Sequence, residues 1–308
     1  MKELFSHLKQ LNNLKLSCSP DNWIETALKG LQKGTNNNIL IKKICIEEWL
    51  GKNGSVAMLA KYCPLLQSLS VNFDIDEESL LALSTFCPLL KEPNILRFPR
   101  ITTEIIAIQC VPTLSCIHSI SISDYTPNLN IILPYLKELQ YIAILTMITH
   151  IPIHLLTQNC MKLISIEISF YSTTTFIQLL QLVQNCIFLH TIDIYNNMEF
   201  NDEFMIELAK SCLNLQRLSI YSTHTSTTDI TDTSLITLSK NCPKLQELII
   251  SKCCHLTEAT VLYMLQNCKN LRRLVLPYTC LYYEVVYNIP YKVSIDNNDT
   301  VTYTASNI

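Results

Sequence analysis

The most regular feature of the chain is an apolar pattern that recurs along most of its length. A cysteine is followed by apolar residues at the third, sixth and eighth positions after it, and the next such cysteine usually comes 24 to 30 residues later. Self-similarity at this period is typical of a repeat protein in which each unit is one supersecondary element. The anchors are Cys63, Cys87, Cys160, Cys186, Cys212, Cys242 and Cys268, and only the Cys87 unit breaks the pattern, with Pro93 at its sixth position.

Each repeat is predicted to contain one strand and one helix. The sixth and eighth positions after an anchor share one side of an extended strand, because side chains alternate along it. The residues before an anchor have a helical period, since Phe204, Leu208 and Cys212 lie four apart. Asn201 or Asp202 is a suitable N-cap for that helix. No unit can bury its apolar side alone, so the pattern predicts a stack of units.

Four further units fit the pattern with a different residue at the anchor. Leu114 and Leu136 divide the 73-residue interval after Cys87, and Asn38 and Leu8 extend the series toward the N-terminus, which gives eleven candidate repeats. We expect a degenerate N-terminal repeat or cap over 1–37, a solenoid over 38–277 and a C-terminal cap over 278–308. Within the last segment, 291–295 and 300–304 are predicted to form a β-hairpin.

The pattern resembles the cysteine-containing leucine-rich repeat, in which a Cys-x-x-Leu-x-x-Leu-x-Leu strand precedes a turn and an amphipathic helix. The units from Cys160 onward carry the resemblance best, for example Cys-Pro-Lys-Leu-Gln-Glu-Leu-Ile-Ile-Ser at 242–251. Cys254 matches a second family cysteine, and Ile230-Thr231-Asp232 matches the family's Leu/Ile-Thr-Asp. The resemblance implies an α/β fold, a right-handed leucine-rich-repeat solenoid (horseshoe) with a parallel sheet on the concave face and helices on the convex face.

The fourteen cysteines of the chain admit two interpretations. An anchor cysteine is predicted to sit where a helix ends against the strands, as a small buried side chain with a weak S–H donor. A disulfide network is the alternative. The chain opens with a charged, amphipathic segment and contains no run of eighteen apolar residues. We therefore expect a cytoplasmic or nuclear protein, in which thiols stay reduced.

Composition excludes several other functions. All four glycines lie between residues 30 and 54, so neither a Walker A loop nor a dinucleotide-binding glycine motif can be written in the rest of the chain. The formal net charge is −3. That balance gives no global reason to bind nucleic acid or an anionic membrane, and we expect neither as a partner.

The motifs that suggest metal binding or catalysis are incomplete. Cys253-Cys254-His255 and the pair His150 and His154 do not supply the four ligands of a zinc site, and Pro152 interrupts the helix that would align the two histidines. No nucleophile elbow or cysteine-protease context accompanies the thiols. We expect no catalytic residue, no metal, no cofactor and no enzymatic activity.

The fifth, seventh and ninth positions after each anchor should point away from the core, on the concave face of the sheet. Tyr195 and Tyr221 fall at the same position of adjacent strands, and Arg217 and Arg273 flank Glu247. Aromatic residues and arginine on a mostly small, polar surface are typical of a protein-binding hot spot; a solvated sheet face is the alternative. The candidate partner-binding residues are Thr191, Asp193, Tyr195, Arg217, Ser219, Tyr221, Glu247, Ile249 and Arg273.

Repeats of this kind are similar to those of F-box/LRR proteins, the substrate receptors of SCF-type ubiquitin ligases. The resemblance implies a protein-interaction scaffold whose concave face binds a protein substrate for ubiquitin-dependent catabolism. In that family an F-box docks on a Skp1-like adaptor, but no F-box motif occurs in this sequence, so the adaptor is expected only if an F-box is supplied elsewhere. The alternative is a free-standing leucine-rich-repeat regulator or scaffold, for instance of a GTPase or of pathogen sensing, without a link to ubiquitin.

Overall fold

The computed structural model describes residues 11–16, 29–30, 39–47, 54–97, 103–122, 129–144, 153–170, 176–196, 200–222, 228–251, 253–277, 291–295 and 300–305. The chain divides into two compact units, Met1–Ala143 and Ile144–Ile308. Both units repeat a strand followed by a helix, as the sequence pattern predicts.

The first unit contains short strands that lie side by side in chain order. The pairs from the first strand to the fifth are parallel. The strands are β1 (Asn13–Leu16), β2 (Lys43–Ile46), β3 (Ser68–Asp74), β4 (Glu92–Arg97), β5 (Ser119–Ile122) and β6 (Tyr141–Ile144). The helices are α1 (Ser55–Tyr62), α2 (Glu77–Phe86), α3 (Glu104–Gln109), α4 (Val111–Leu114) and α5 (Leu129–Ile132), and a 3₁₀ turn follows at Leu133–Tyr135.

The second unit is built in the same way. Its strands are β7 (Ser165–Phe170), β8 (Thr191–Asn196), β9 (Arg217–Ser222), β10 (Thr228–Thr231), β11 (Glu247–Ile250), β12 (Cys253–His255), β13 (Arg273–Pro277), β14 (Tyr291–Ile295) and β15 (Thr300–Ala305). Its helices are α6 (Ile153–Asn159), α7 (Phe176–Asn185), α8 (Asp202–Ser211), α9 (Asp232–Asn241) and α10 (Glu258–Asn267). The main sheet has the order β7-β8-β9-β11-β13-β15-β14, and β10 and β12 form a separate parallel pair.

The core of each unit contains the apolar positions of the repeats together with the anchor cysteines and the inward residues of the helices. In the six complete repeats the apolar side chains at the third, sixth and eighth positions are at most 3% exposed. The backbone confirms the register of the degenerate repeats at Leu114 and Leu136, because the third residue after the anchor donates to the anchor carbonyl there as it does in the cysteine repeats. The anchors Asn38 and Leu8 lie outside the described residues. Ile117 donates to Leu114 at 3.2 Å and Leu139 to Leu136 at 3.4 Å, as Leu66 donates to Cys63 at 3.1 Å. The pairing shifts register between β3 and β4 after Val71, and again between β4 and β5 after Ile95.

The anchor cysteines end the helices and join one repeat to the next. The thiol of Cys87 donates to the carbonyl oxygen of Cys63 at 3.5 Å, and that of Cys242 to the carbonyl oxygen of Cys212 at 3.6 Å. Each of these carbonyls already accepts the N–H of the third residue after its anchor, so the thiol adds a second hydrogen bond to the same oxygen from the next repeat. We call this series of contacts the thiol ladder. Every cysteine whose side chain the structure describes is free, which favours the core-thiol interpretation over disulfides.

A second set of contacts joins the repeats at the N-terminal ends of the helices. The Asp232 carboxylate accepts hydrogen bonds from the backbone N–H and the hydroxyl of Thr257, at 2.8 Å and 2.7 Å. Asp202 accepts the corresponding pair from Thr231, which is also the N-cap of α9. Burial opposes ionisation of Asp232, but the hydrogen bonds from Thr257 and Thr260 outweigh it and lower the pKa of the carboxyl. This pairing is the physical role of the Leu/Ile-Thr-Asp motif.

The predicted C-terminal hairpin is present. Strands β14 and β15 are antiparallel, and β15 also pairs antiparallel with β13, where Leu274 faces the fully buried Tyr303. The hairpin thus continues the sheet beyond the last parallel strand. An exposed edge strand would offer unpaired backbone groups to other chains, and this arrangement covers the edge of β13.

The thiol ladder generates a prediction about cysteine reactivity. Burial raises the pKa of Cys63, Cys87, Cys212 and Cys242 to about 12, so these thiols stay protonated at neutral pH. Only the thiolate is nucleophilic. We expect iodoacetamide at pH 8 to label the half-buried Cys45 and Cys116 before the buried anchor cysteines in the folded protein. Peptide mass spectrometry measures the order, and labelling in 8 M urea is the control.

The raised pKa values of the buried thiols also predict how the stability of the protein depends on pH. Because the folded pKa of Cys63 lies above the ordinary value of 9.0, the unfolded state ionises first. The stability that the buried Cys63 thiol contributes is complete below pH 9 and is lost as the pH rises toward 12. The urea concentration at the unfolding midpoint should therefore fall as the pH rises above 9.

In the labelling experiment, rapid reaction of Cys212 or Cys242 in the folded protein would contradict the thiol ladder.

Candidate protein-binding surface

The sheet of the second unit carries three rows of side chains on the face opposite the apolar core. The pairing of β7, β8, β9, β11 and β13 brings the same repeat position into line on successive strands. Ser165, Thr191, Arg217, Glu247 and Arg273 form the row at the fifth position; Glu167, Asp193, Ser219, Ile249 and Val275 form the row at the seventh; and Ser169, Tyr195, Tyr221, Ser251 and Pro277 form the row at the ninth.

Two tyrosines form the aromatic centre of this face. Tyr195 pairs with Tyr221 across β8 and β9, and their rings are stacked with centroids 4.8 Å apart and an interplanar angle of 4°. The sequence prediction that they occupy the same position of adjacent strands is confirmed. Partial burial raises the pKa of Tyr195, and the nearby carboxylates of Glu167 and Asp193 raise it further. The pair therefore presents a neutral planar surface beside negative charge.

Arg217 connects three strands through its guanidinium group. Its Nε donates to Asp193 Oδ1 at 3.0 Å and its Nη1 to Glu247 Oε2 at 2.9 Å. The side chains of Arg217, Asp193 and Glu247 are 36%, 15% and 32% exposed, so the contacts are partly shielded from water. Burial alone would lower the pKa of Arg217, but the two carboxylates outweigh it and raise the pKa. A planar fork can bind two carboxylates at once, which an ammonium group cannot do with the same geometry.

Two of the predicted surface residues are buried instead. Ser219 is 0% exposed and Ile249 is 2% exposed, and they pair with each other across β9 and β11. The expectation that they contribute to an accessible surface is therefore wrong. Ser219 is short and stands between Arg217 and Tyr221 on the same face of its strand, while Ile249 lies between Ser219 and the buried Val275.

The remaining candidates stay accessible. Thr191 is half-buried and Arg273 is exposed at the end of the fifth-position row. Two tyrosines stack, Arg217 pairs with two carboxylates, and a charge interaction links Arg217 to Tyr221. We call the five residues of this group the tyrosine–arginine cluster: Asp193, Tyr195, Arg217, Tyr221 and Glu247.

The sheet face of the first unit has a different composition. Its fifth, seventh and ninth positions are small or polar on most strands, namely Ser68, Ser70, Asn72, Glu92, Asn94, Ser119, Ser121, Tyr141 and Ala143. The stacked tyrosines and the bridging arginine lie on the second unit's face.

Sequence reasoning missed the pairing of Arg217 with Asp193. It placed Arg217 beside Glu247, its direct neighbour on the next strand. Asp193 lies diagonally, two positions further along β8, and diagonal neighbours in a sheet are within reach of long side chains. A repeat alignment with this rule would have found the second carboxylate.

Other candidate sites lie partly outside the described residues. These include His150, the segment 223–227 and the side chains of Cys253 and Cys254. Within the described ranges, no group of three or more His, Cys, Asp or Glu is placed to hold a metal ion. No helix in the part of the chain that the structure describes is long and apolar enough to cross a membrane.

Comparison with known proteins assigns the fold. No protein-family model matches the chain, and no curated protein matches its sequence. Among solved structures, the yeast Rad7 and Elc1 complex matches 75% of this chain and 55% of the other chain at 20% identity, with a TM-score of 0.46. The TLR13–ssRNA13 complex matches 88% of this chain and 36% of the other chain at 15% identity, with a TM-score of 0.54.

This chain thus spans about half and about a third of the length of the two matched chains. The likeness to the TLR13 chain shows the fold, which is an α/β leucine-rich-repeat solenoid with parallel strands and helices.

The bridge at Arg217 is testable by a double-mutant cycle. We expect Arg217→Met and Glu247→Gln to show a coupling energy of about 0.5–1 kcal/mol in urea unfolding, since the pair is partly shielded from solvent. The control is Lys210→Met with Glu207→Gln, a pair 3.8 Å apart on α8 in which the lysine is 60% exposed. Its coupling should be smaller, and equal values in the two cycles would contradict the bridge.

Proposed function

We propose that this protein is an interaction scaffold that binds a partner protein through the tyrosine–arginine cluster and performs no chemistry of its own. The observation that carries the proposal is the Tyr195–Tyr221 stack beside a guanidinium held by two carboxylates. Tyrosine and arginine are over-represented among the residues that dominate binding energy in protein interfaces. A stack of repeats supplies the extended surface that such binding needs.

The cluster is arranged before any partner arrives, which reduces the entropic cost of binding. Each stacked tyrosine has two side-chain torsions to order, and the Arg217 side chain is already held at both of its contacts. The free energy of binding is therefore not reduced by the need to order the tyrosine and arginine side chains.

The electrostatics of the cluster favour a basic side chain on the partner. Glu167 and Asp193 lie close enough to Tyr195 to raise its pKa, so negative charge borders the aromatic stack on that side. An arginine of the partner could stack on the Tyr195 ring and face these carboxylates at once. Guanidinium groups gain energy from both contacts.

The cellular role that we propose is substrate recognition in SCF-type, ubiquitin-dependent proteolysis. The support is the resemblance of the repeats from Cys160 to Cys268 to those of F-box/LRR proteins. In this role the scaffold holds the substrate, and a Skp1-like adaptor joins it through an F-box supplied elsewhere. The proposed site of action is the cytoplasm or the nucleus.

The binding face is tested by substitution. Tyr195→Ala and Tyr221→Ala should each weaken the affinity for the partner by about 2 kcal/mol, which is roughly 30-fold, as expected for hot-spot residues. Isothermal titration calorimetry with a partner identified by affinity purification gives the measurement. Asn72→Ala and Asn94→Ala, at exposed positions of the first unit's sheet face, are the matched controls. If the double tyrosine variant keeps full affinity, the binding face is elsewhere.

The link to ubiquitin has a separate test. A Skp1-like adaptor and a cullin should co-purify with the full-length protein from its native cells, and the tyrosine variants should not change that association. If neither co-purifies while the partner still binds, the role in proteolysis is rejected and the protein is a free-standing scaffold.

A further inference from the structure

A row of exposed apolar side chains lies on the second unit, apart from the sheet face. Met161, Ile187 and Leu213 each directly follow an anchor cysteine and are 56%, 52% and 54% exposed. Phe188 adjoins Ile187 and is 54% exposed. Exposed apolar patches on a protein surface mark interaction sites, and these four large apolar side chains fall in consecutive repeats. We call these four residues the apolar ridge.

The ridge has a defined place in the fold. The register of β7, β8 and β9 aligns successive repeats, so the residues that follow Cys160, Cys186 and Cys212 are equivalent. They lie at the edge where α6, α7 and α8 end and before the strands begin. The tyrosine–arginine cluster is further along the strands and on the sheet face, so the ridge is a different surface.

The surroundings of the ridge are basic. No Asp or Glu occurs in the corresponding segments 159–164, 185–190, 211–216, 241–246 and 267–272. The exposed basic residues there are Lys162, Lys244, Lys269 and Arg272, and Lys240 is exposed in the last turn of α9. Lys210, in the last turn of α8, pairs with Glu207 at 3.8 Å. Cations near helix C-termini stabilise helices, which accounts for the lysines but not for the exposed apolar side chains beside the lysines.

Several backbone groups at this edge are already paired within the protein. The N–H groups of Leu189 and Leu215 donate to the preceding anchor carbonyls at 3.1 Å and 3.0 Å, and that of Gln216 donates to His190 at 2.8 Å. A peptide bound here as a strand would place its own backbone groups against apolar side chains without partners, which is costly. A helix satisfies its backbone internally, so the ridge suits a helical occupant.

The spacing of the ridge also suits a helix. Neighbouring strands of the sheet are about 4.8 Å apart, and packed helices are about 8–10 Å apart. Ridge residues of successive repeats lie between the helices and the strands, so their separation falls between these two values. Apolar residues three or four positions apart on a helix are about 5–6 Å apart, which matches the lower part of that range. Three ridge positions can therefore contact successive turns of one helix.

We infer that the apolar ridge is a docking site for an acidic amphipathic helix of a partner protein. Apolar residues of the helix would cover Met161, Ile187, Phe188 and Leu213, and its Asp and Glu residues would face the lysines beside them. This surface goes beyond the proposed function, since it neither uses nor requires the tyrosine–arginine cluster. An anionic membrane would also meet apolar and basic side chains here, so binding to vesicles is one of the outcomes that the test distinguishes.

The test uses the full chain and a synthetic probe. The probe is a fluorescein-labelled 18-residue helix with Leu at positions 3, 7, 10 and 14 and mainly Glu on its other faces, measured by fluorescence anisotropy. We expect saturable binding that weakens at least tenfold in Ile187→Glu with Leu213→Glu, and severalfold in Lys244→Glu. Binding should also weaken as sodium chloride rises from 50 to 500 mM, because the lysine contacts are screened.

Matched controls separate the ridge from other effects. The same helix with Lys in place of Glu should not bind, and Pro64→Glu, at the equivalent position of the first unit, should leave affinity unchanged. The double variant Tyr195→Ala with Tyr221→Ala should also bind the probe normally, so failure of one proposed surface does not imply failure of the other. Circular dichroism confirms that each variant folds, as expected for substitutions at exposed positions.

Three results would overturn the proposal. The first is probe affinity that is the same in wild type and the ridge variants, including no binding in either. The second is ridge-dependent binding to vesicles of phosphatidylserine and phosphatidylcholine without binding to the helix, which would identify a membrane surface. The third is ridge-dependent dimerisation in sedimentation velocity without binding to the helix, which would identify a second copy of this chain as the occupant.

Discussion

Burial of three apolar side chains per repeat is the constraint on which the rest of the structure depends. A single strand–helix unit exposes these side chains, and only the next unit in the stack can cover them. The backbone and side-chain contacts between repeats follow from that stacking. The thiol of Cys242 and the carboxylate of Asp232 each connect to an adjacent repeat, at opposite ends of the same helix.

Stacking also explains why a thiol and a carboxylate recur at these places. A helix leaves carbonyl groups open at its C-terminus and N–H groups open at its N-terminus. A buried thiol is small, largely apolar and a weak donor, so it can meet a carbonyl without a large desolvation cost. An aspartate near the N-terminus is favoured by the helix dipole and accepts two hydrogen bonds from the threonine of the next repeat. Each residue type fits the polarity of its end of the helix.

The side chains that are not needed for stacking are free to carry function. On the sheet face the repeat aligns equivalent positions, so Tyr195 and Tyr221 meet as a stack and Arg217 reaches carboxylates on both neighbouring strands. At the helix-to-strand edge the same alignment brings Met161, Ile187 and Leu213 together. Two surfaces of different chemistry thus arise from one periodic scaffold, because substitutions at exposed positions leave the buried pattern intact.

The sequence by itself determined which apolar positions form the core of the repeats, where helices end and which tyrosines are neighbours. These features depend on local periodicity, which correctly located even the degenerate units at Leu114 and Leu136. Only the tertiary structure decided that Arg217 binds Asp193 as well as Glu247, and that Ser219 and Ile249 are buried. Those outcomes depend on the lengths of side chains that meet across neighbouring strands, and alternation along one strand contains no information about its neighbours.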